Sequence, residues 1–326
     1  MSALRRLGLD LLAAAVAVLA AGTTMAQPYP TRPIKLLLSF PPGGASDLIA
    51  RLIAQPLSER LGQPVVVENR PGANGNLAGE LAAHAAPDGA TLLLAPSSLF
   101  SVNPHLYARM PIDPLKDLLP VASVVSNELF LAANPALPGA TDLASFIALA
   151  HRSSPPLFYA SIGNGSEHHL AMELLKQRAG IDLVHVPYRG GGPAAIGVMA
   201  GDVAAMFGGG SVAPLAQSGK LRALAVSGSN RSPLLPDLPP IAELYPGYEV
   251  TIWQGLFAPV GTPEPVVARL RSELDSILRE QGFAERLVAA GAGEPYVTTP
   301  AELEARIRID YKRYGKLIRE SGVKAD

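Results

Sequence analysis

Two stretches of the chain share one design, and that design narrows the folds open to it. The short apolar run Leu157 to Ala160 leads into Ser161-Ile162-Gly163-Asn164-Gly165-Ser166, and a helical pattern follows with Leu170, Leu174 and Leu175 on one side. Ile34 to Phe40, apolar but for Lys35 and Ser39, leads in the same way into Pro41-Pro42-Gly43-Gly44-Ala45-Ser46-Asp47. Leu48, Ile49, Leu52, Ile53, Leu57 and Leu61 then recur at helical spacing. A buried strand, a glycine turn and a helix in succession form the unit of an α/β sheet. Glycine lets bare backbone approach a ligand. The first turn of a helix leaves N–H groups unpaired, with about half a positive charge there. Each turn is therefore a ready anion site. Ser46 and Ser166 are placed to cap the two helices, and Asp47 falls in the first turn of its own.

The rhythm continues along the chain. Val65 to Val67, Thr91 to Ala95, Leu129 to Ala133, Leu183 to Val186, Ala204 to Phe207, Leu221 to Ser227 and Trp253 to Ala258 read as strands. Leu77 to Ala86 reads as a helix, as do Leu143 to Ala150 behind Thr141 and Asp142, and Ala194 to Ala200 with Pro193 at its first position. A long helix starts at Thr262-Pro263-Glu264. The capping box Thr299-Pro300-Ala301-Glu302 opens a last one, with Leu303, Ile307, Tyr311, Tyr314 and Ile318 on one face. Pro56, inside the first helical pattern, costs about 3 kcal/mol and predicts a kink or break near Gln55. Asn103-Pro104 and the proline-dotted Met110 to Pro120 read as a surface loop and a crossover, and Asn230 to Pro246 as a surface segment. Strand–helix alternation of this kind predicts doubly wound α/β sheets, with ligands beyond the carboxyl ends of the strands. The loops after Phe40, Glu68 and Ala95 open on that edge. Two such units imply two lobes and a cleft, with the chain crossing out and coming back.

Residues 1–26 read as a signal peptide: Arg5 and Arg6, the apolar run Leu9 to Ala21, and Thr24-Met25-Ala26 before a mature start at Gln27. The run is shorter than the ~20 residues a membrane span needs. Export to the periplasm is the expectation. The absence of cysteine excludes disulfides, thiolate metal sites and a thiol nucleophile. A net charge of −1 gives no electrostatic case for nucleic acid or an anionic membrane surface.

Three chemistries compete for the stretch after Ala160. Ser166 and His169, with Asp47 as a third member, offer a hydrolase reading, but no Gly-x-Ser-x-Gly elbow occurs. His168 and His169 are adjacent, so they diverge on a helix and hold one ion poorly. Gly163-Asn164-Gly165 matches the first two glycines of a dinucleotide fingerprint, but His168 stands where the third belongs. Anion capture by backbone amides remains. Arg70 and Arg189 stand as the candidate basic residues in the neighbourhood of these turns.

The chain resembles the Bug-type extracytoplasmic solute receptors of tripartite tricarboxylate transporters. The residues that carry the resemblance begin with Tyr29-Pro30-Thr31-Arg32-Pro33-Ile34, Phe40-Pro41-Pro42-Gly43-Gly44 with Asp47, and Glu68-Asn69-Arg70-Pro71-Gly72-Ala73. Tyr159-Ala160-Ser161 through His169-Leu170, His185-Val186-Pro187-Tyr188-Arg189-Gly190, Gly219 to Val226 and Trp253 to Pro259 follow. The resemblance implies a type II periplasmic binding-protein fold, two α/β lobes around a central ligand cleft, without catalytic activity or cofactor. On that fold one lobe takes residues 27–127 plus 250–326 and the other residues 128–249. It also implies that Pro42, Gly43, Gly44, Ala45, Ser46 and Asp47 in the first lobe, and Ser161, Gly163, Asn164, Gly165, Ser166 and His169 in the second, bind the ligand. Ser97, Ser98, Tyr188, Arg189 and Gly190 line the same cleft by analogy. The implied ligand is a small mono- or dicarboxylate, with an amide or ring carboxylate as a variant. The implied partners are the large and small integral membrane subunits of a transporter, met by a monomeric receptor; a sensory binding protein is the alternative. Pro96 and Gly208-Gly209-Gly210 depart from the family pattern near the expected cleft wall.

Overall fold

The computed structural model describes residues 29–324, so the expected signal peptide (residues 1–26) and its cleavage point before Gln27 lie outside the described residues. The chain opens with β1 (Ile34–Leu38), α1 (Ala45–Leu61), β2 (Val65–Asn69), α2 (Asn76–Ala83) and β3 (Thr91–Pro96). Short helices α3 (Ser98–Ser101), α4 (Asn103–Leu106) and α5 (Pro114–Asp117) lead to β4 (Leu118–Glu128). The middle of the chain forms β5 (Phe130–Ala133), α6 (Leu143–Arg152), β6 (Leu157–Ser161), α7 (Glu167–Ala179) and β7 (Leu183–Pro187). It continues with α8 (Gly191–Ala200), β8 (Ala205–Gly208), α9 (Val212–Gln217) and β9 (Arg222–Val226). The chain then runs through β10 (Thr251–Pro259), α10 (Glu264–Leu278), α11 (Gln281–Ala289), β11 (Glu294–Pro295) and α12 (Pro300–Ser321).

The strands form two sheets, ordered β11-β4-β10-β3-β1-β2 and β7-β6-β8-β5-β9. In the first, β1 runs parallel to β2 and β3; in the second, β6 runs parallel to β7 and β8. One three-strand nucleus thus occurs twice. The remaining strands are antiparallel: β10 against β3 and β4, and β5 against β8 and β9. They are also the strands that carry the chain between sheets. Leu129 alone separates β4 from β5, and the returning β10 begins beside it, with Thr251 paired to Glu128.

Each sheet buries both faces, as a sheet with a parallel centre must. One face of the first sheet packs under α1, α10 and α11 through Ile49, Ile53, Leu57, Leu270, Leu274 and Phe283. Its other face packs under α2, α3 and the start of α12. The second sheet is covered by α6 and α7 on one side and by α8 and α9 on the other. A separate apolar cluster of Val102, Leu170, Tyr314, Leu317 and Ile318 joins α7 to α12 and to the segment after β3. With 22 residues α12 is about 33 Å long, enough to begin on the first sheet and end on α7. It is anchored on the way: Trp253 Nε1 and Arg306 Nε each donate to Asp310 Oδ2 at 2.8 Å.

Several sequence expectations need correction. α1 runs unbroken through Pro56. Ile49, Ile53 and Leu57 are fully or almost fully buried, and each such burial contributes about 1.5–3 kcal/mol, which outweighs the proline's cost. The N-cap of α1 is Gly44, without a side-chain cap, and Ser46 lies inside the first turn. Pro193 is the third residue of α8, which starts at Gly191; its missing N–H is still one the helix does not use. Asn103 is buried rather than on the surface, and its side chain bonds Asn74 and Asn76. Met110 to Pro120 holds α5 and the start of the 11-residue β4, and α11 and β11 were also unmarked in the sequence. β4 carries Pro120, Ser123 and Ser126, which hide its strand character; pairing on both sides, with β10 and β11, supplies the stability its composition does not advertise. No helix among the described residues is long and apolar enough to cross a membrane.

Candidate functional site

The loop after β1 is held from within α1. Asp47 Oδ2 accepts the Gly43 N–H at 3.1 Å and Arg51 Nε at 3.0 Å, and Oδ1 accepts Arg51 Nη2 and Asn69 Nδ2 at 3.0 Å each. Asn69 also donates to Phe40 O at 3.0 Å, closing the loop onto the end of β2. These bonds, Arg51's foremost and then those of Gly43 and Asn69, hold the Asp47 carboxyl at about 2 against the opposing effect of burial. Gly43 takes a left-handed φ of 85°, a conformation glycine adopts without strain. Pro42, Gly43 and Gly44 are exposed, Ala45 is the first residue of α1, and Ser46 and Asp47 are buried. Asp47 shapes the loop with a side chain whose oxygens are already bonded.

The turn after β6 is stitched to itself. Ser161 Oγ accepts the Gly163 N–H at 3.0 Å. His169 Nδ1 accepts the Gly165 N–H at 3.1 Å, and Gly163 O accepts the Ser166 N–H at 3.3 Å. Ser166 is the N-cap of α7, its Oγ accepting the His169 N–H at 3.3 Å while donating to Gly163 O at 2.8 Å. Four amides expected to face a ligand are therefore bonded inside the turn. Beneath it the His185 and His169 rings stack at 3.7 Å between centroids, with Tyr159 5.0 Å from His185. Ser161 Oγ lies 2.6 Å from His185 Nε2. Burial first, then the neighbouring His185 and Lys176, lowers the His169 pKa to about 3, so the ring is neutral near pH 7.

This geometry removes the hydrolase arrangement. The Ser166 hydrogen is on a carbonyl, the His169 nitrogen facing the turn is taken by an amide, and the Asp47 carboxylate belongs to the Gly43 loop.

Ser97 and Ser98 follow β3 and are fully buried. Ser97 N–H donates to Trp253 O at 2.8 Å, and Ser97 Oγ donates to Glu167 Oε1 of α7 at 2.9 Å. At Gly165 an added Cβ would run into Leu106 of α4. The segment after β3 in one sheet and the turn after β6 in the other are thus in direct contact. The Tyr188 N–H donates to Ser161 O at 3.0 Å, which places Tyr188 beside the same turn. Gly190 is the N-cap of α8, and Arg189 is exposed. The sequence reading passed over Glu167, Leu106, Asn69 and His185. An acidic residue in a first helical turn looks like an ordinary dipole complement, and only the fold brings Ser97 to it. Asn69 and His185 do sit in the quoted motifs, where a polar side chain ending β2 (Asn69) or interrupting the apolar run of β7 (His185) was the available signal.

Residues 49–323 match the family described as the tripartite tricarboxylate transporter family receptor. Protein BugT of Bordetella pertussis (strain Tohama I) is 37% identical over 310 residues, covering 93% of this chain and 94% of its own. The chain belongs to the tripartite tricarboxylate transporter receptor family. Solved structures of similar proteins carry the same fold. R. palustris Rpa4515 with adipate superposes with a TM-score of 0.83 at 32% identity, over 91% of this chain and 99% of that one. MatC from Rhodopseudomonas palustris with bound malate gives 0.77 at 32% identity, over 89% and 100%. Receptors of this family are two-lobed solute-binding proteins, not enzymes.

Proposed function

We propose that this receptor captures a small organic carboxylate in the periplasm, between a lobe of residues 27–127 plus 250–326 and a lobe of residues 128–249, and delivers it to membrane subunits of a tripartite transporter. The observation that carries the reading is the contact of Ser97 with Glu167, because it joins the loop edges of the two sheets where ligands of α/β folds bind. Adipate in Rpa4515 and malate in MatC are both carboxylates, which supports the ligand class. In this reading the first-turn amides of α1 and the Pro42–Ser46 backbone hold the ligand carboxylate. The self-bonded turn of Ser161, Gly163, Asn164, Gly165, Ser166 and His169 forms a rigid opposite wall, flanked by Ser97, Ser98 and Tyr188 to Gly190. Closure of the lobes follows from contacts made only in the closed state. The receptor works as a monomer, exported by residues 1–26.

A thermal-shift screen of the chain from Gln27 onward against organic acids tests this. A ligand present at 100 times its dissociation constant adds about 2.7 kcal/mol of stability. A panel of mono- and dicarboxylates that leaves the melting temperature unmoved overturns it.

A further inference from the structure

Two imidazoles lie under the turn after β6, and each reaches one of its glycine amides. His169 does so directly. Its Nδ1 accepts the Gly165 N–H at 3.1 Å, so that nitrogen carries no hydrogen. The ring hydrogen then sits on Nε2, 3.9 Å from Glu173 Oε1. Glu173 is itself pinned there, accepting the Tyr159 hydroxyl at 2.7 Å and Lys176 Nζ at 2.8 Å. His185, on β7, acts at one remove. The Ser161 hydroxyl accepts the Gly163 N–H at 3.0 Å and donates to Gly163 O at 3.0 Å. A hydroxyl has one hydrogen and two lone pairs. The lone pair that remains accepts from His185 Nε2, at 2.6 Å. The His185 ring also lies on the His169 ring, with centroids 3.7 Å apart and planes 15° from parallel. One side chain thus backs both halves of the turn.

We propose that His185 is a positioning residue for the ligand-binding turn: it fixes Gly163 through the Ser161 hydroxyl and Gly165 through the stacked His169 ring. This rests on the reading of that turn as one wall of the ligand site. Gly163 and Gly165 stand at φ 135° and 69°. Glycine has many other conformations open to it, so the turn keeps one shape only while these side chains grip it. Its amides are bonded internally, and what it offers a ligand is that shape. A wall ordered before binding need not be ordered by the ligand, and affinity rises accordingly.

The test is amide hydrogen exchange, followed by nuclear magnetic resonance on the chain from Gln27 onward, in two variants that divide the roles. His185→Phe keeps an aromatic ring against His169 and removes the hydrogen bond to Ser161. The Gly163 amide should exchange at least tenfold faster, and Gly165 as in the wild type. His185→Gln keeps a donor near the Nε2 position and removes the ring, so Gly165 should be the amide that speeds up. Thermal unfolding checks that each variant folds; where one does not, the other still assigns its glycine. Isothermal titration with straight-chain mono- and dicarboxylates of four to eight carbons should show at least a tenfold loss of affinity in both variants. Equal acceleration throughout β6 and α7, the mark of loosened packing, overturns the proposal, as does no change at either glycine. So does the expected exchange pattern with unaltered affinity. If the wild type binds none of these acids, the carboxylate reading falls, and the exchange pattern alone decides what His185 does to the turn.

Discussion

Ser227 Oγ accepts the backbone N–H of Leu129 at 2.7 Å, at the single residue through which the chain passes from the first sheet to the second. The same hydroxyl donates to Val250 O at 2.6 Å, one residue before the returning strand β10. Backbone bonds complete the clasp, from Ser227 N to Leu129 O at 2.8 Å and from Val250 N to Ser227 O at 2.9 Å. One buried serine therefore ties both crossings together, with every polar atom partnered.

Ser227→Ala should lower stability by about 1–3 kcal/mol, because it strands a buried N–H and a buried carbonyl. Urea unfolding monitored by circular dichroism checks this. A loss below 0.5 kcal/mol, on the order of a surface substitution, would mean that water replaces the hydroxyl there.

Asp47→Asn should weaken ligand binding at least tenfold while leaving the fold intact, since the Gly43 loop loses the charge that Arg51 and Asn69 grip. The pH dependence has a definite sign. The Asp47 pKa is lowered to about 2, so its stabilisation is fully present above the ordinary carboxylate value near 3.8 and is lost as pH falls toward 2. The variant should show a shallower fall in melting temperature across that window. An unchanged acid limb would show that the loop holds without the ion pair.

Gly165→Ala should destabilise by more than about 2 kcal/mol. The residue sits at φ 69°, which disfavours a side chain, and its Cβ would collide with Leu106. Leu106→Ala in the same chain should recover about 1 kcal/mol relative to the sum of the single losses. Strict additivity would deny the contact between α4 and the turn after β6.

His169 is neutral in the folded protein down to about pH 3, whereas the unfolded chain takes up its proton near 6.5. The unfolded state binds more protons across that interval, so acidification destabilises the fold by up to about 1.4 kcal/mol per pH unit for this one site. His105 and His168 are lowered by burial as well, so the protein has more than one such group. His169→Gln should remove one proton from the slope of unfolding free energy between pH 6 and about 4. A slope equal to that of the wild type would count against burial as the cause.

The local devices could be read from the sequence because their partners lie within a turn of helix. The Ser166 cap, the Asp142–Ser145 capping box and the Thr299–Glu302 capping box join residues three apart. So could the two glycine turns, since an apolar run before them and a helical period after them are properties of neighbouring residues. What the side chains in those turns do was not readable. Ser46 looked like a cap and is not one, because Asp47 reaches back to Gly43 and Asn69 arrives from another strand. The amides after β6 looked available, and His169 and Ser161 occupy them.

The chain by itself determined where most of the strands and helices form and which turns are glycine-built, because backbone conformation and hydrophobic period answer to neighbours a few residues away. Only the tertiary structure decided that Pro56 stays helical, that β4 lies between β10 and β11, and that a glutamate rather than a ligand sits against Ser97. Ser97 and Glu167 are 70 residues apart. Burial and charge act through space, and distance in space between residues so far apart along the chain is a property of the fold alone.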